Sequence, residues 1–361
     1  MQKNDRKSRL QYFEVITLYC LARLQGERTM YSIFHLLKGK KSAQTIQDAH
    51  LFSLTELFHT YSTLDRRQLE ITIGKLLNEN LIKENFGQRY FLTDKGTGCL
   101  RLALESTPLP LHLNGLKYHQ SGQKVWERLS LLVQVCSYFS REDSSYVPIQ
   151  KNRDTQKWLK SFIRNMDQQE RANLPGRLLN ELISLLEEER NVIPEVLVLR
   201  LSGYRSAGMT PHQAAIELDM DVFHYHLEFM GTLHYLCKIS SKQRDKYPLL
   251  SLLDEETGEG RSLTHSAKQT FKFLKEGLNV ASIAAVRDLK VNTVEDHIVE
   301  IALNIKNFSI DPFVSIEEQK KIIDLASRTA TKQLRILKEQ AGETSYFKIR
   351  LVLAKLGDQS C

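Results

Sequence analysis

The stretch G277-LNVASIAAVRDLKVNTVEDHIVE-I301 decides the fold, because its spacing suits a helix-turn-helix. Gly277 ends a preceding helix, Thr270 to Glu276, in a left-handed cap, and Asn279 N-caps the next. Ile283 and Ala284 face inward, Ala284 being small where two crossing helices approach. Leu289 follows at the turn. Asn292-Thr293 opens a third helix whose apolar positions Val294, Ile298 and Ile301 recur on one face. An ordinary helical hairpin in a core is the plainer alternative; glycine, small residue, turn and cap falling in order favour the helix-turn-helix.

The third helix has unusual chemistry for reading DNA. From Val291 to Ile301 it carries Glu295, Asp296 and Glu300 and no Lys or Arg, whereas a helix in a groove faces phosphates on both sides. Asn292, Glu295, Asp296 and Glu300 are therefore read as a face for a protein partner, with Glu295 and Glu300 off the buried stripe. A helix-turn-helix is a scaffold, and its function sits in its surface residues.

Two segments carry a family resemblance: TFKFLKEGLNVASIAAVRDLKVNTVEDHI, residues 270–298, and ETSYFKIRLVLAKL, residues 343–356. Together they make residues 262–361 resemble the helix-turn-helix module at the C-terminal end of many RecQ-family DNA helicases. The whole chain, which lacks a motor, is similar to YpbB-type bacterial proteins, which tend to be encoded beside a RecQ-like helicase. The resemblance implies a non-catalytic accessory or adaptor protein for such a helicase, acting in DNA recombination or repair. The implied partners are the helicase and DNA, the latter bound weakly and without strong sequence preference. An independent transcriptional regulator is the competing expectation; it should be a symmetric dimer preferring one palindromic site.

Composition bounds the rest. The 361 residues suffice for two or three domains, and 42% hydrophobic with 26% charged content is that of a globular protein. Eight prolines and seventeen glycines are few, which favours a mostly helical architecture. Cys20, Cys99, Cys136, Cys237 and Cys361 show neither disulfide framing nor metal-ligand spacing, so free thiols and a cytoplasmic or nucleoid-associated location are expected. The basic start QKNDRKSR imitates a signal peptide, but Glu14 and Arg23 interrupt the apolar stretch. No run approaches membrane-spanning length. Residues 1–105 hold 16 Lys and Arg against 11 Asp and Glu, so most of the net +7 lies there.

That N-terminal part reads as a winged-helix-like domain, residues 1–107. Helices at 10–24 and 29–38 lead to RRQLEITIGKLLNENLI, where Asp65 N-caps a helix burying Leu69, Ile73, Leu76 and Leu77. Asn85-Phe86-Gly87 then turns between Leu81-Ile82-Lys83 and Tyr90-Phe91-Leu92. Arg67, Ile71, Gly74 and Asn78 form the solvent stripe of the helix. Arg66, Arg67 and Lys75 are candidate phosphate contacts, with Lys83, Arg89 and Lys95 bracketing the wing. A plain solvated face is the equal alternative.

Residues 108–195 read as a helical connector. GMTPHQAAIELDMDVFHYHLEFM, from Gly208 within a module at 196–240, repeats the helix-turn-helix pattern with Gly208, Thr210, Ala215 and Met220 standing where Gly277, Asn279, Ala284 and Leu289 stand. His224 and His226 point to different faces, which argues against a metal site. Residues 241–261 form a linker. Beyond, Ser315 and Glu318 make a capping box, and Lys332 and Arg335 are the candidate phosphate contacts of a basic tail. No phosphate-binding loop or nucleophile constellation stands out, so neither enzyme, cofactor nor metal is expected.

Overall fold

The computed structural model describes residues 10–143, 145–254, 263–305, 307–329 and 334–356. They form eighteen α-helices and one two-stranded sheet. In chain order these are α1 (Tyr12–Leu24), α2 (Met30–Lys38), α3 (Ala43–Leu51), α4 (Arg66–Asn78), β1 (Ile82–Asn85), β2 (Arg89–Leu92), α5 (Asp94–Ser106), α6 (Gly115–Phe139), α7 (Arg153–Arg164), α8 (Gln168–Glu187), α9 (Pro194–Val198), α10 (Pro211–Glu217), α11 (Val222–Lys242), α12 (Pro248–Ser251), α13 (His265–Lys275), α14 (Val280–Val286), α15 (Val291–Asn304), α16 (Ile316–Arg328), α17 (Leu334–Ala341) and α18 (Tyr346–Leu356). The architecture is mostly α, with helix-turn-helix modules and an N-terminal winged-helix-like part.

The chain divides into two compact units, residues 1–15 with 102–257 and residues 16–101 with 258–361. This differs from the linear division read from the sequence, because the winged-helix segment and the C-terminal helix-turn-helix belong to one unit. The physical reason lies on α3, which packs against both α15 and α18. Thr45, Ile46, Gln47, Asp48 and Ala49 of α3 are all buried. Its polar members are held by specific partners rather than solvated, although Gln47 Nε2 has no partner among the described residues. Arg350 of α18 donates to Gln47 Oε1 at 2.8 Å, and Arg28 grips both oxygens of Asp48 at 3.1 Å. Buried polar groups need such partners, and the partner of Gln47 comes from 303 positions away.

The other unit is built around α6, a 25-residue helix that packs against α7, α8 and α11. Leu129, Leu132 and Val135 are completely buried along its inner face. Three tyrosine hydroxyls find acceptors inside this unit: Tyr225 on Val196 O at 2.7 Å, Tyr235 on Leu185 O at 3.2 Å, and Tyr247 on Glu188 at 2.6 Å. Thr210 and Gln213 form a capping box at the start of α10, with Pro211 in its first turn. The match of Gly208 to Gly277 does not extend to conformation. Gly277 has φ +85 and open space around it, so backbone geometry selects glycine there. Gly208 lacks that geometry, and a Cβ on it would lie 2.2 Å from Arg200 O, so a close backbone approach selects it. The third helix of that repeat, α11, continues past Phe229 to Lys242. His224 and His226 are half-buried on it, with His224 Nε2 at 3.2 Å from Glu228.

Candidate nucleic-acid and partner surfaces

Asp65 accepts from Arg67 N at 3.2 Å and so starts α4, as its place before the apolar repeat predicts. Leu69, Ile73 and Leu76 fix the buried face, while Leu77 is half-buried and Thr72 joins the core. The hairpin pairs Ile82 with Leu92 and Asn85 with Arg89. Its tip is Phe86, Gly87 and Gln88, the last two in the left-handed region. Met30 N donates to Gln88 O at 3.1 Å and ties this wing to the start of α2.

The six described cations expected on this surface have unequal freedom. Arg67 and Lys83 are exposed, and neither side chain has a partner among the described residues. Arg66 is exposed but engaged: its Nε meets Glu70 at 2.9 Å, and its guanidinium sits 4.2 Å over the Tyr31 ring and donates to that hydroxyl. Lys75 and Arg89 are half-buried. Lys95 Nζ donates to Glu79 O at 2.7 Å, where a cation complements the C-terminal end of α4. Lys332 lies outside the described residues, as does the side chain of Arg335. Two exposed apolar groups stand on the same two elements: Ile71, on the expected solvent stripe, and Phe86, whose exposure the sequence did not show. Ile71 on α4 is 63% exposed, and Phe86 at the wing tip is 94% exposed. The turn pattern at 85–87 gave Phe86 a place but no reason for so exposed a ring.

In the C-terminal module, Asn279 accepts from Ser282 N at 2.9 Å, and Leu289 N donates to Ala284 O at 2.9 Å across the turn. Ile283 is fully buried and Ala284 nearly so, on the helix that packs against α13 and α15. The third helix begins earlier than Asn292-Thr293, at Val291 with Lys290 as its N-cap. Its burial is heaviest in its C-terminal half. From His297 through Leu303 every residue is buried, because α3, α13, α14 and α18 surround it.

This burial separates the four expected partner contacts. Asn292 is exposed. Glu295 is half-buried, and burial, with Asp296 beside it, raises its carboxyl above the usual range while Arg350 pulls the other way. Asp296 is ion-paired with the Nη1 of Arg350. Glu300 must be corrected: it is 5% exposed and accepts from both the backbone N–H and the hydroxyl of Thr264, the N-cap of α13. The stripe logic failed there because α15 is covered on more than one side. Burial raises the Glu300 carboxyl, against the lowering effect of its Thr264 bonds. A second polar cluster backs the motif. Arg287 donates to Ser266 O at 2.9 Å and to Thr270, whose hydroxyl meets His297 Nδ1 at 2.9 Å. Burial, then the Arg287 charge, depresses His297. At the outer edge of the motif Val286 and Val291 are exposed, at 62% and 46%.

Residues 266–353 match the family described as a helix-turn-helix domain. Across 349 residues, 96% of this chain and 98% of the relative, the sequence is 34% identical to Protein YpbB of Bacillus subtilis (strain 168). The chain belongs to the YpbB family. No solved structure matches it. For this YpbB-family protein the helix-turn-helix domain points to a nucleic-acid-related function and is compatible with a cytoplasmic or nucleoid location. Among its described residues no helix is long and apolar enough to cross a membrane.

Proposed function

We propose that this YpbB-family protein is a non-catalytic adaptor that holds a RecQ-like DNA helicase and touches DNA weakly, in recombination or repair. The observation that carries the reading is the state of α15. Its exposed residues are confined to its first turn, Val291 and Asn292, followed by half-buried Thr293, Glu295 and Asp296. Phosphates repel such a turn, whereas a protein surface with cations accepts it and covers Val286 and Val291. The resemblance of this module to the one ending RecQ-family helicases supplies the partner class. Nucleic acid falls to α4 and the wing, where Arg67 and Lys83 are free to meet phosphates. Tethering through separate surfaces raises the helicase's effective concentration on DNA without adding chemistry.

The match to a helix-turn-helix family favours one competing reading, an independent regulator. Both are tested by titrating the full chain with the RecQ-like helicase of the same organism and with unrelated duplexes over a range of salt. The adaptor forms a stable complex with the helicase and binds the duplexes alike. A chain that ignores the helicase and binds one palindrome about a thousandfold tighter than other sequences is a regulator.

A further inference from the structure

Two adjoining cavities run along α8 within the unit formed by residues 1–15 and 102–257, and they share Ser140 and Pro175. Their volumes are ≈ 620 and ≈ 630 Å³. The second, between α6, α8 and α9, has a floor of Leu178, Leu182 and Leu186. Its rim is apolar as well: Leu179 is 57% exposed, Ile183 44% and Val198 52%. On α8 the series Pro175, Leu179, Ile183 and Glu187 recurs every four residues, a single ridge about 18 Å long at 1.5 Å per residue. Contiguous exposed apolar groups of this kind mark a binding surface rather than a solvated face.

The charges around the groove identify what it fits. The end toward Ser140 carries Glu142 and Asp143, and the far end carries Glu187 and Glu195. Among the described residues Arg171 is the one cation lining either cavity, and it donates to Ile163 O (3.1 Å) and Arg164 O (3.4 Å). Asp143 is held below the usual carboxyl range by its hydrogen bonds from Ser145. Lys246, which lines the same surface as Ile183 and Glu187, is paired with Glu188. An apolar trough closed at both ends by carboxylates repels nucleic acid and accepts a helix of about three turns with an apolar stripe and cations at its ends.

We propose that this groove docks a basic amphipathic helix of a partner protein. Unlike the adaptor reading, it uses neither α15 nor α4, so it stands or falls separately.

The test is a displayed library of helical peptides of about four turns, with apolar residues fixed at i, i+3, i+4 and i+7. The remaining positions are drawn from Lys, Glu, Gln and Ser. Selection is against the full chain, with counter-selection against the doubly substituted Leu179→Lys, Ile183→Lys chain. Both positions are exposed, and circular dichroism checks that the variant keeps its helices. Enriched peptides should carry excess Lys at their ends and lose about tenfold or more in affinity for that variant and for Glu187→Lys, Glu195→Lys. Salt should weaken them further. Enrichment without charge bias, or with Glu excess, overturns the proposal, as does equal binding to the variants. So does sedimentation showing that the full chain dimerises and that Leu179→Lys, Ile183→Lys abolishes the dimer, since a second copy would then be the occupant.

Discussion

Replacing Glu300 by Lys should destabilise the α13–α15 region by about 3–5 kcal/mol, whereas Glu295→Lys should stay within about 0.5 kcal/mol. The two glutamates lie five residues apart on α15, and their surroundings set the contrast. Glu300 accepts twice from Thr264, whose own hydroxyl accepts from Ala267 N at 3.2 Å to cap α13. A lysine there removes two acceptors, at about 1–3 kcal/mol for a donor left unsatisfied in the interior. It also sets an ammonium against the positive end of α13, adding about 0.3–1 kcal/mol and the cost of burying an unpaired cation. Glu300→Gln keeps one acceptor and should cost about 1 kcal/mol. The pH dependence has a definite sign. Burial raises the Glu300 pKa above its ordinary 4.5, so the folded state holds the proton more tightly than the unfolded chain. The resulting stability is fully present below 4.5 and is lost as pH rises through the higher folded value; Glu300→Gln abolishes that dependence. Amide hydrogen exchange of α13 in the full chain measures all three variants. Protection of α13 in Glu300→Lys equal to that in Glu295→Lys would refute the reasoning.

On DNA, Arg67→Ala should lower the log–log salt slope by about one while acting alike on unrelated sequences. Arg66→Ala should do less, because Glu70 and Tyr31 already engage that guanidinium; equal slopes for the two variants would contradict this. Gly208→Ala should cost about 2–3 kcal/mol through overlap with Arg200 O, and Gly277→Ala about 1 kcal/mol through its positive φ alone, so the reverse order in thermal unfolding would count against the distinction. Purified protein should hydrolyse no ATP, as the chain carries no GxxxxGK[ST] loop, and turnover that tracks the protein peak through successive purification columns would sink that expectation.

The elements were legible because their signals are local. Asp65, Thr210, Asn279 and Ser315 each accept from a backbone N–H at the start of the helix they were expected to cap. Gly277 adopts the left-handed conformation its position requires. Tertiary partners were not legible. Gln47 and Asp48 look like surface residues in sequence, yet Arg350 and Arg28 pair them inside the unit. The Gln47–Arg350 bond joins segments 303 positions apart, which periodicity within one helix cannot report. Glu300 was misplaced for the same reason, since a single apolar stripe identifies one covered face and α15 has more. Phe86 was hidden differently: it is an apolar residue in an element with a core, and only the folded chain shows that the core leaves it out.

The same motif is therefore used here in a way that its sequence pattern alone does not specify. A helix-turn-helix reads DNA when its third helix offers an exposed, phosphate-tolerant face, and the pattern of glycine, small residue, turn and cap guarantees only the crossing of helices. In this chain α15 carries apolar residues at Val294, Ile298 and Ile301 and again at Val299, Ala302 and Leu303, so two faces are committed to packing. The carboxylates left over are divided between a cap, at Glu300, an ion pair, at Asp296, and the surface, at Glu295. Cations that could have served phosphates are drawn into the same network, with Arg287 on Ser266 and Thr270 and Arg350 on Asp296 and Gln47. What remains outside is a short edge of Val286, Val291, Asn292 and Glu295. That edge suits a protein surface better than a phosphate lattice, whereas α4 with its wing brings the unpaired Arg67 and Lys83 together with the exposed Ile71 and Phe86.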